Sequence, residues 1–216
     1  MRTLFFAGAG AAALLTGAAL ADDDVTETLD LTGFDKIDIA GVMELDVTVG
    51  EDYAIEMQGP ADEIERVEAS VKDGVLKLKQ RDRKKKGFGW GGNREGIDVT
   101  ISLPSLTALE ISGVVDGDIR NVDTESFELD VSGVGDIDIA GVCGNFDADV
   151  SGVGDLDAKA LECRDVEIDV SGVGDATVYA SEAVDASVSG MGEIDIYGSP
   201  DRVEKNKSLF ADITVH

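Results

Sequence analysis

Val131-Ser-Gly-Val-Gly-Asp136, Val150-Ser-Gly-Val-Gly-Asp155 and Val170-Ser-Gly-Val-Gly-Asp175 are three copies of one turn. Ile111-Ser-Gly-Val-Val-Asp116 precedes them and Val188-Ser-Gly-Met-Gly-Glu193 follows. The first glycines, Gly113, Gly133, Gly152, Gly172 and Gly190, are spaced by 20, 19, 20 and 18 residues. Between turns, apolar residues alternate with Asp, Glu, Ser or Thr, as in Phe127/Leu129/Val131 before a turn and Ile137/Ile139 after it. Period two means strands with one buried face. A unit of two strands and two turns cannot bury its apolar face alone, whereas stacked copies share a continuous core. Equivalent strands then lie about 4.8 Å apart in parallel ladders. A hairpin meander would explain the alternation but not its fixed period. The glycines are expected to supply positive φ at the turns. The predicted fold is all-β, a stacked coil with two sheets joined by glycine turns.

Outside the repeats the pattern loosens. A degenerate turn, Ile39-Ala-Gly-Val-Met-Glu44, lies near the start. Lys36–Ile39, Glu44–Val49, Tyr53–Met57 and Ile97–Leu103 read as strands, and 60–67 as a short helix. Val71–Lys79 resembles a hairpin turning at Asp73-Gly74. The expected organisation is a leader over 1–21, a less regular β-rich part over 22–104, regular coils over 105–198, and a cap or tail over 199–216 that covers the open end of the stack.

The leader reading rests on Arg2, the small and apolar run Leu4–Leu20, and Ala19-Leu20-Ala21 ahead of Asp22-Asp23-Asp24. Cleavage there predicts an exported protein with no transmembrane segment left in the mature chain. It also removes one Arg, taking the net charge from −27 to −28. Such an acidic body repels phosphate and disfavours nucleic acid. Export permits a disulfide. Cys143 and Cys163 each stand three residues before a strand's first core position, on adjacent coils, so a disulfide or two buried thiols is expected.

Ser105 to Gly198 holds 22 acids against three bases, Arg120, Lys159 and Arg164. Asp136, Asp138, Asp155, Asp157, Asp175, Glu193 and Asp195 fall on outward positions after the turns. Like charges about 5 Å apart cost on the order of 1 kcal/mol per pair in water. Weak Ca²⁺ binding along these rows would relieve that cost, and a solvated acidic surface is the alternative. No other cofactor is indicated. The turn serines have no base in reach of their pattern, since the one histidine is His216 at the chain end. The basic stretch 77–94 contrasts with the body. Arg83, Lys84, Lys85, Lys86, Phe88, Trp90 and Arg94 form a glycine-rich loop suited to an anionic polymer, an acidic neighbour or self-association.

The Val-Ser-Gly-Val-Gly-Asp-Ile-Asp turns, the opening Gly33-Phe34-Asp35-Lys36-Ile37 and Asp175-Ala-Thr-Val-Tyr-Ala-Ser-Glu182 together resemble the bacterial putative autotransporter adhesin family, head GIN domain. The resemblance implies a right-handed, parallel β-helix-like superhelix, export, no known catalytic residues and a role in adhesion. The expected function is a non-enzymatic binding module of a Gram-negative cell envelope, periplasmic or at the surface, with a protein or polysaccharide partner. A polysaccharide-acting enzyme and a ligand-free envelope scaffold are the alternatives.

Overall fold

Each coil's strands hydrogen-bond in parallel to residues about one repeat away, so the sequence period is also the pairing offset. The structure is a computed structural model describing residues 24–81 and 96–216. The leader, and Arg83, Lys84, Lys85, Lys86, Phe88, Trp90 and Arg94, lie outside the described residues. The described chain is all-β apart from one four-residue helix.

The regular coils are β7 (Ala108–Val131), β8 (Ile137–Val150), β9 (Leu156–Val170) and β10 (Ala176–Val188), followed by β11 (Gly192–Tyr197). Their registers carry the repeat forward. Phe127 pairs with Phe146, which pairs with Val166, which pairs with Val184. Inward residues at these positions are buried, and the Phe127 and Phe146 rings stack with centroids 5.8 Å apart.

The expected two sheets are one bent, unclosed sheet. The run after one turn and the run before the next form a single strand, because the corner between them keeps its ladder bonds. At that corner Gly141 pairs with Leu161, Val142 with Glu162 and Cys143 with Cys163, at the cost of one register shift. Cys143 and Cys163 are joined by a disulfide across this rung, with Cα atoms 4.5 Å apart. Its removal in a Cys143→Ala, Cys163→Ala double variant is expected to lower stability by about 3 kcal/mol, the size for closing a loop of this length. Chemical denaturation of the two forms measures it.

Pairing crosses residue 105 without a break. β2 (Lys36–Val49) is itself a coil, with Ile39 opposite Ile111, Gly41 opposite Gly113 and Glu44 opposite Asp116. The coil beneath it is assembled from two separate segments. β5 (Val75–Gln80) pairs with Lys36–Ala40, and β6 (Ile97–Leu103) pairs with Met43–Val49. Antiparallel strands close that end: β3 (Ala54–Pro60) on β6, β1 (Asp24–Thr28) on β3, and β4 (Val67–Lys72) on β5. The β4–β5 hairpin turns at Asp73 and Gly74, both at positive φ (52° and 81°), as a two-residue hairpin turn of the primed type requires. The short helix α1 (Ala61–Ile64) follows Pro60. Its Glu63 is buried, pairs with Arg66 at 2.6 Å and accepts from the Gln80 amide at 2.8 Å.

The tail lies over the open end of the stack as a further coil. β12 (Arg202–Lys207) lies parallel to Ala183–Val188, and β13 (Ala211–Val215) parallel to Gly192–Ile196. In β12 the core-facing register turns polar after Val203, while Ile213 of β13 stays buried in the core. Lys205 stands opposite Ala186 and Lys207 opposite Val188, and all of β12 is exposed. The Lys205 ammonium donates to the Ile213 carbonyl at 3.0 Å, and Lys207 pairs with Asp212. Charged residues at inward positions blunt a sheet edge against further pairing.

Candidate interaction surfaces of the stacked corner

The Ser-Gly-Val-Gly-Asp corner builds itself from backbone contact. A Cβ on Gly133, Gly152, Gly172 or Gly190 would lie 1.8–2.3 Å from the carbonyl oxygen of the preceding coil's equivalent glycine. The second glycines, Gly154, Gly174 and Gly192, meet the same obstacle at 1.9–2.0 Å and also have φ of +144° to +158°. The second glycines are therefore held by both close stacking and positive φ. The first is required by how closely the backbones stack, and only Gly113 among the first glycines has positive φ.

The polar residues of the motif are turned to the same task. Ser112, Ser132 and Ser151 each donate a long hydrogen bond (3.4 Å) to a carbonyl of the preceding coil. The aspartates make a ladder. Asp116 Oδ1 accepts from the Asp136 N–H at 3.1 Å, Asp136 Oδ1 from Asp155 at 3.0 Å, Asp155 Oδ1 from Asp175 at 2.9 Å, and Asp175 Oδ1 from Glu193 at 2.9 Å. Each carboxylate thus satisfies the donor that the next turn leaves free, a charge-assisted bond repeated up the stack. Glu193, in the last turn, accepts from the Thr214 hydroxyl at 3.1 Å.

The second acidic row lies two residues on. Asp138 pairs in register with Asp157, Thr177 interrupts the row, and Asp195 resumes it beside His216 Nε2 at 2.7 Å. Burial, then the charges of Asp157, Asp118 and Asp136, raise the Asp138 carboxyl above its ordinary range. Burial, then Asp149, Glu128 and Asp169, raise Asp147 likewise on the other run. A raised folded-state value means that the folded chain holds the proton more tightly. Stability then rises as pH falls through the window between the ordinary and raised values, and the penalty is fully present at neutral pH. Asp138→Asn is expected to raise stability at pH 7 by on the order of 0.5 kcal/mol, seen as a higher melting temperature, and to do nothing below the ordinary carboxylate range. Melting curves at the two pH values test it.

Among the described residues, no three His, Cys, Asp or Glu side chains converge as a metal-holding group. At Asp136, Asp155 and Asp175 one carboxylate oxygen accepts from the next coil, and Glu193 accepts from Thr214, which leaves each of these side chains its other oxygen. At Asp138, Asp157 and Asp195 the carboxylates stand in a row rather than a cage. Ca²⁺ and Mg²⁺ at matched ionic strength are therefore expected to raise the melting temperature equally, by screening. A calcium-specific rise would show a true site.

The three cations between residues 105 and 198 are engaged as well. Arg120 pairs with Asp46 at 3.3 Å and with Asp118, Arg164 pairs with Glu125 at 2.6 Å, and the Lys159 ammonium sits 3.7 Å from the Tyr197 ring centroid. None is presented bare to an anionic sugar. His216 stacks on Tyr197, away from the turn serines in sequence and paired with Asp195.

A feature the sequence reading missed runs between the serine and aspartate rows. Val114, Val134, Val153, Val173 and Met191 bridge in one line up the corner, each 45–54% exposed. Val42 starts the line opposite Val114. Phe210 ends it, next to the Ala211 that pairs with Gly192, and is 78% exposed. The signal was present in the motif as its invariant central apolar residue, at a position of outward parity.

These features define a class: an all-β repeat protein whose turn motif builds the stack. The chain belongs to the putative auto-transporter adhesin, head GIN domain family, which matches residues 33–200. No curated protein matches it. Among solved structures, it is similar to a putative adhesin from Bacteroides fragilis NCTC 9343, with 27% identity, a TM-score of 0.75, and coverage of 91% of this chain and 98% of that one. A putative lipid binding protein from Parabacteroides distasonis ATCC 8503 matches at 16% identity and a TM-score of 0.44, with 90% and 98% covered. A putative adhesin from the same strain matches at 18% identity and a TM-score of 0.44, with the same coverage. No helix among the described residues is long and apolar enough to cross a membrane.

Proposed function

We propose that this chain is an exported, non-catalytic binding module of the bacterial cell envelope, whose flat outer faces contact a polymer or a partner protein. The carrying observation is that the repeated turn's polar groups are occupied in the stack, serine hydroxyls and aspartate carboxylates alike. The motif thus reads as architecture, and family membership supports the adhesin reading. The engaged state of Arg120, Lys159 and Arg164 disfavours a polysaccharide-cleaving site, which needs a free cation beside bound anionic sugar. A right-handed coil belongs to the same proposal, because parallel crossover connections are right-handed in nearly all folds.

The test is an array of envelope polysaccharides and surface proteins probed with the full mature chain. Retention of a ligand with its length unchanged supports the module. Shortened or eliminated sugar product overturns it in favour of an enzyme. Export is tested by N-terminal sequencing of the protein from the envelope and medium. A start at Asp22 supports the leader, and an intact Met1 in the cytoplasm overturns it.

A further inference from the structure

We propose that the apolar ridge of the stacked corner binds a cationic amphipathic helix of a partner polypeptide. The helix lays its apolar stripe along the ridge and its basic flanks over the acidic rows on either side. This rests on the binding-module reading and narrows it to one surface and one class of partner.

Val114, Val134, Val153, Val173 and Met191 keep one line through every coil, which scattered surface valine would not do. Four strand spacings separate the first from the last, about 19 Å. At 45–54% exposure, the five side chains offer roughly 400 Å² of contiguous apolar surface, an extent at which a monomer's largest patch is often a contact site. The backbone beneath is already paired. The Val134, Val153 and Val173 N–H groups donate to Gly113, Gly133 and Gly152, and their carbonyls accept from Val115, Gly135 and Gly154. An added strand finds no ladder to join there, so a partner must be held by side chains.

Two observations select the partner. The first is charge. Asp116, Asp136, Asp155, Asp175 and Glu193 form an exposed row two residues beyond the ridge. On the other side, past the serines, Asp130, Asp149 and Asp169 stand in register as a second exposed row. An apolar strip between two anionic rows attracts a partner that is apolar along its middle and cationic at both edges. A second copy has the wrong sign, since the chain carries −27. Ridge against ridge would also bury only about 800 Å² in total, short of the roughly 1,200–2,000 Å² of a stable interface.

The second observation is spacing. Apolar side chains on one face of a helix recur every three or four residues, about 5.3 Å along the axis. Four such steps span about 21 Å and stay within about 2 Å of the ridge. Same-face side chains of an extended chain recur about every 6.7 Å, so four steps span about 27 Å and fall out of step with the valines. A helix of about four turns therefore meets every coil of the ridge.

The probe is a synthetic helical peptide of about 16 residues, with leucine at every third or fourth place and lysine elsewhere. It is compared with a scrambled isomer of the same composition and with a peptide carrying glutamate in place of lysine. Binding is measured by titration calorimetry on the full mature protein at physiological salt, which screens attraction between exposed charges. The lysine peptide is expected to bind at least about tenfold more tightly than its scrambled isomer, and the glutamate peptide not at all. Val134→Thr with Val153→Thr keeps the branched shape of both outward side chains, and its folding is checked by thermal melting. This variant is expected to weaken the lysine peptide about tenfold and to leave the scrambled isomer unchanged. Equal binding of the two isomers, or indifference to the threonine variant, overturns the proposal and assigns the attraction to acidic surface at large. Glutamate-peptide binding as tight as that of the lysine peptide overturns it too, since the acidic rows then select nothing. A native dimer in sedimentation that the threonine variant loses overturns it by giving the ridge to a second copy. Each of these failures leaves the binding-module reading standing on the other faces, whereas sugar turnover on the array overturns that reading without altering the peptide result.

Discussion

Gly172→Ala is expected to destabilise the protein by about 4 kcal/mol or more, among the largest effects of any single methyl group in the chain. The added Cβ would sit 1.8 Å from the Gly152 carbonyl oxygen and 2.8 Å from its carbon, both backbone. Neither can rotate away. Relief requires the two coils to separate at the corner, which breaks the Val173 to Gly152 hydrogen bond (3.0 Å) and pulls on the Asp175 bond to Asp155. The corner above repeats the contact, since Gly190 meets Gly172 in the same way. A Gly190→Ala variant would therefore meet the same obstacle one coil on. For a chain of this size the loss corresponds to a fall of roughly 8–16 °C in melting temperature. Two controls make the result interpretable. Gly96→Ala has open space and no positive φ, so it is expected to be close to neutral. Gly50→Ala has open space but φ of +91°, so it is expected to cost about 1–2 kcal/mol from backbone conformation alone. If Gly172→Ala costs no more than Gly50→Ala, the coils separate cheaply at the corner and stacking distance does not explain the motif's first glycine.

That glycine shows where sequence reading reached and where it stopped. The period of Gly113, Gly133, Gly152, Gly172 and Gly190 disclosed the stack, because an apolar face of two short strands has no other way to be buried. It could not disclose which physical demand kept each glycine, since close approach and positive φ select the same residue. Ile39-Ala-Gly-Val-Met-Glu44 was visible as a degenerate turn and proves to be in register with the third coil. The coil below it was illegible, because β5 and β6 are separated in sequence and are joined only by pairing to β2. The aspartate ladder was hidden for a similar reason. Outward parity placed Asp136, Asp155 and Asp175 on the surface, but the donor that each carboxylate accepts belongs to the next coil, some 20 residues on. The last coil escaped because alternation fails there by design of its end position. Val203 alone in β12 keeps the apolar inward pattern, and Lys205 and Lys207 replace what would be core residues.

Deleting residues 201–216 is therefore expected to be more damaging than loss of a polar tail would suggest. β12 and β13 cover the last core layer, in which Val184, Val188, Ile194 and Ile196 are now at most 2% exposed. Exposing about half of each side chain costs roughly 3–6 kcal/mol in lost burial. It also bares the N–H and C=O groups of β10 and β11 as an open edge, which recruits other chains. The expected result is a lower denaturation midpoint together with concentration-dependent association by light scattering. A second variant separates the two contributions. Lys205→Val with Lys207→Val keeps the coil and its burial but makes its inward face apolar, like the layer beneath. Its denaturation midpoint is expected to stay near that of the native chain, while its end becomes a surface on which another stack can dock. Association in this variant without loss of stability would show that the two lysines end the stack by charge. A double variant that remains as dispersed as the native protein would show that the coil's coverage alone is sufficient.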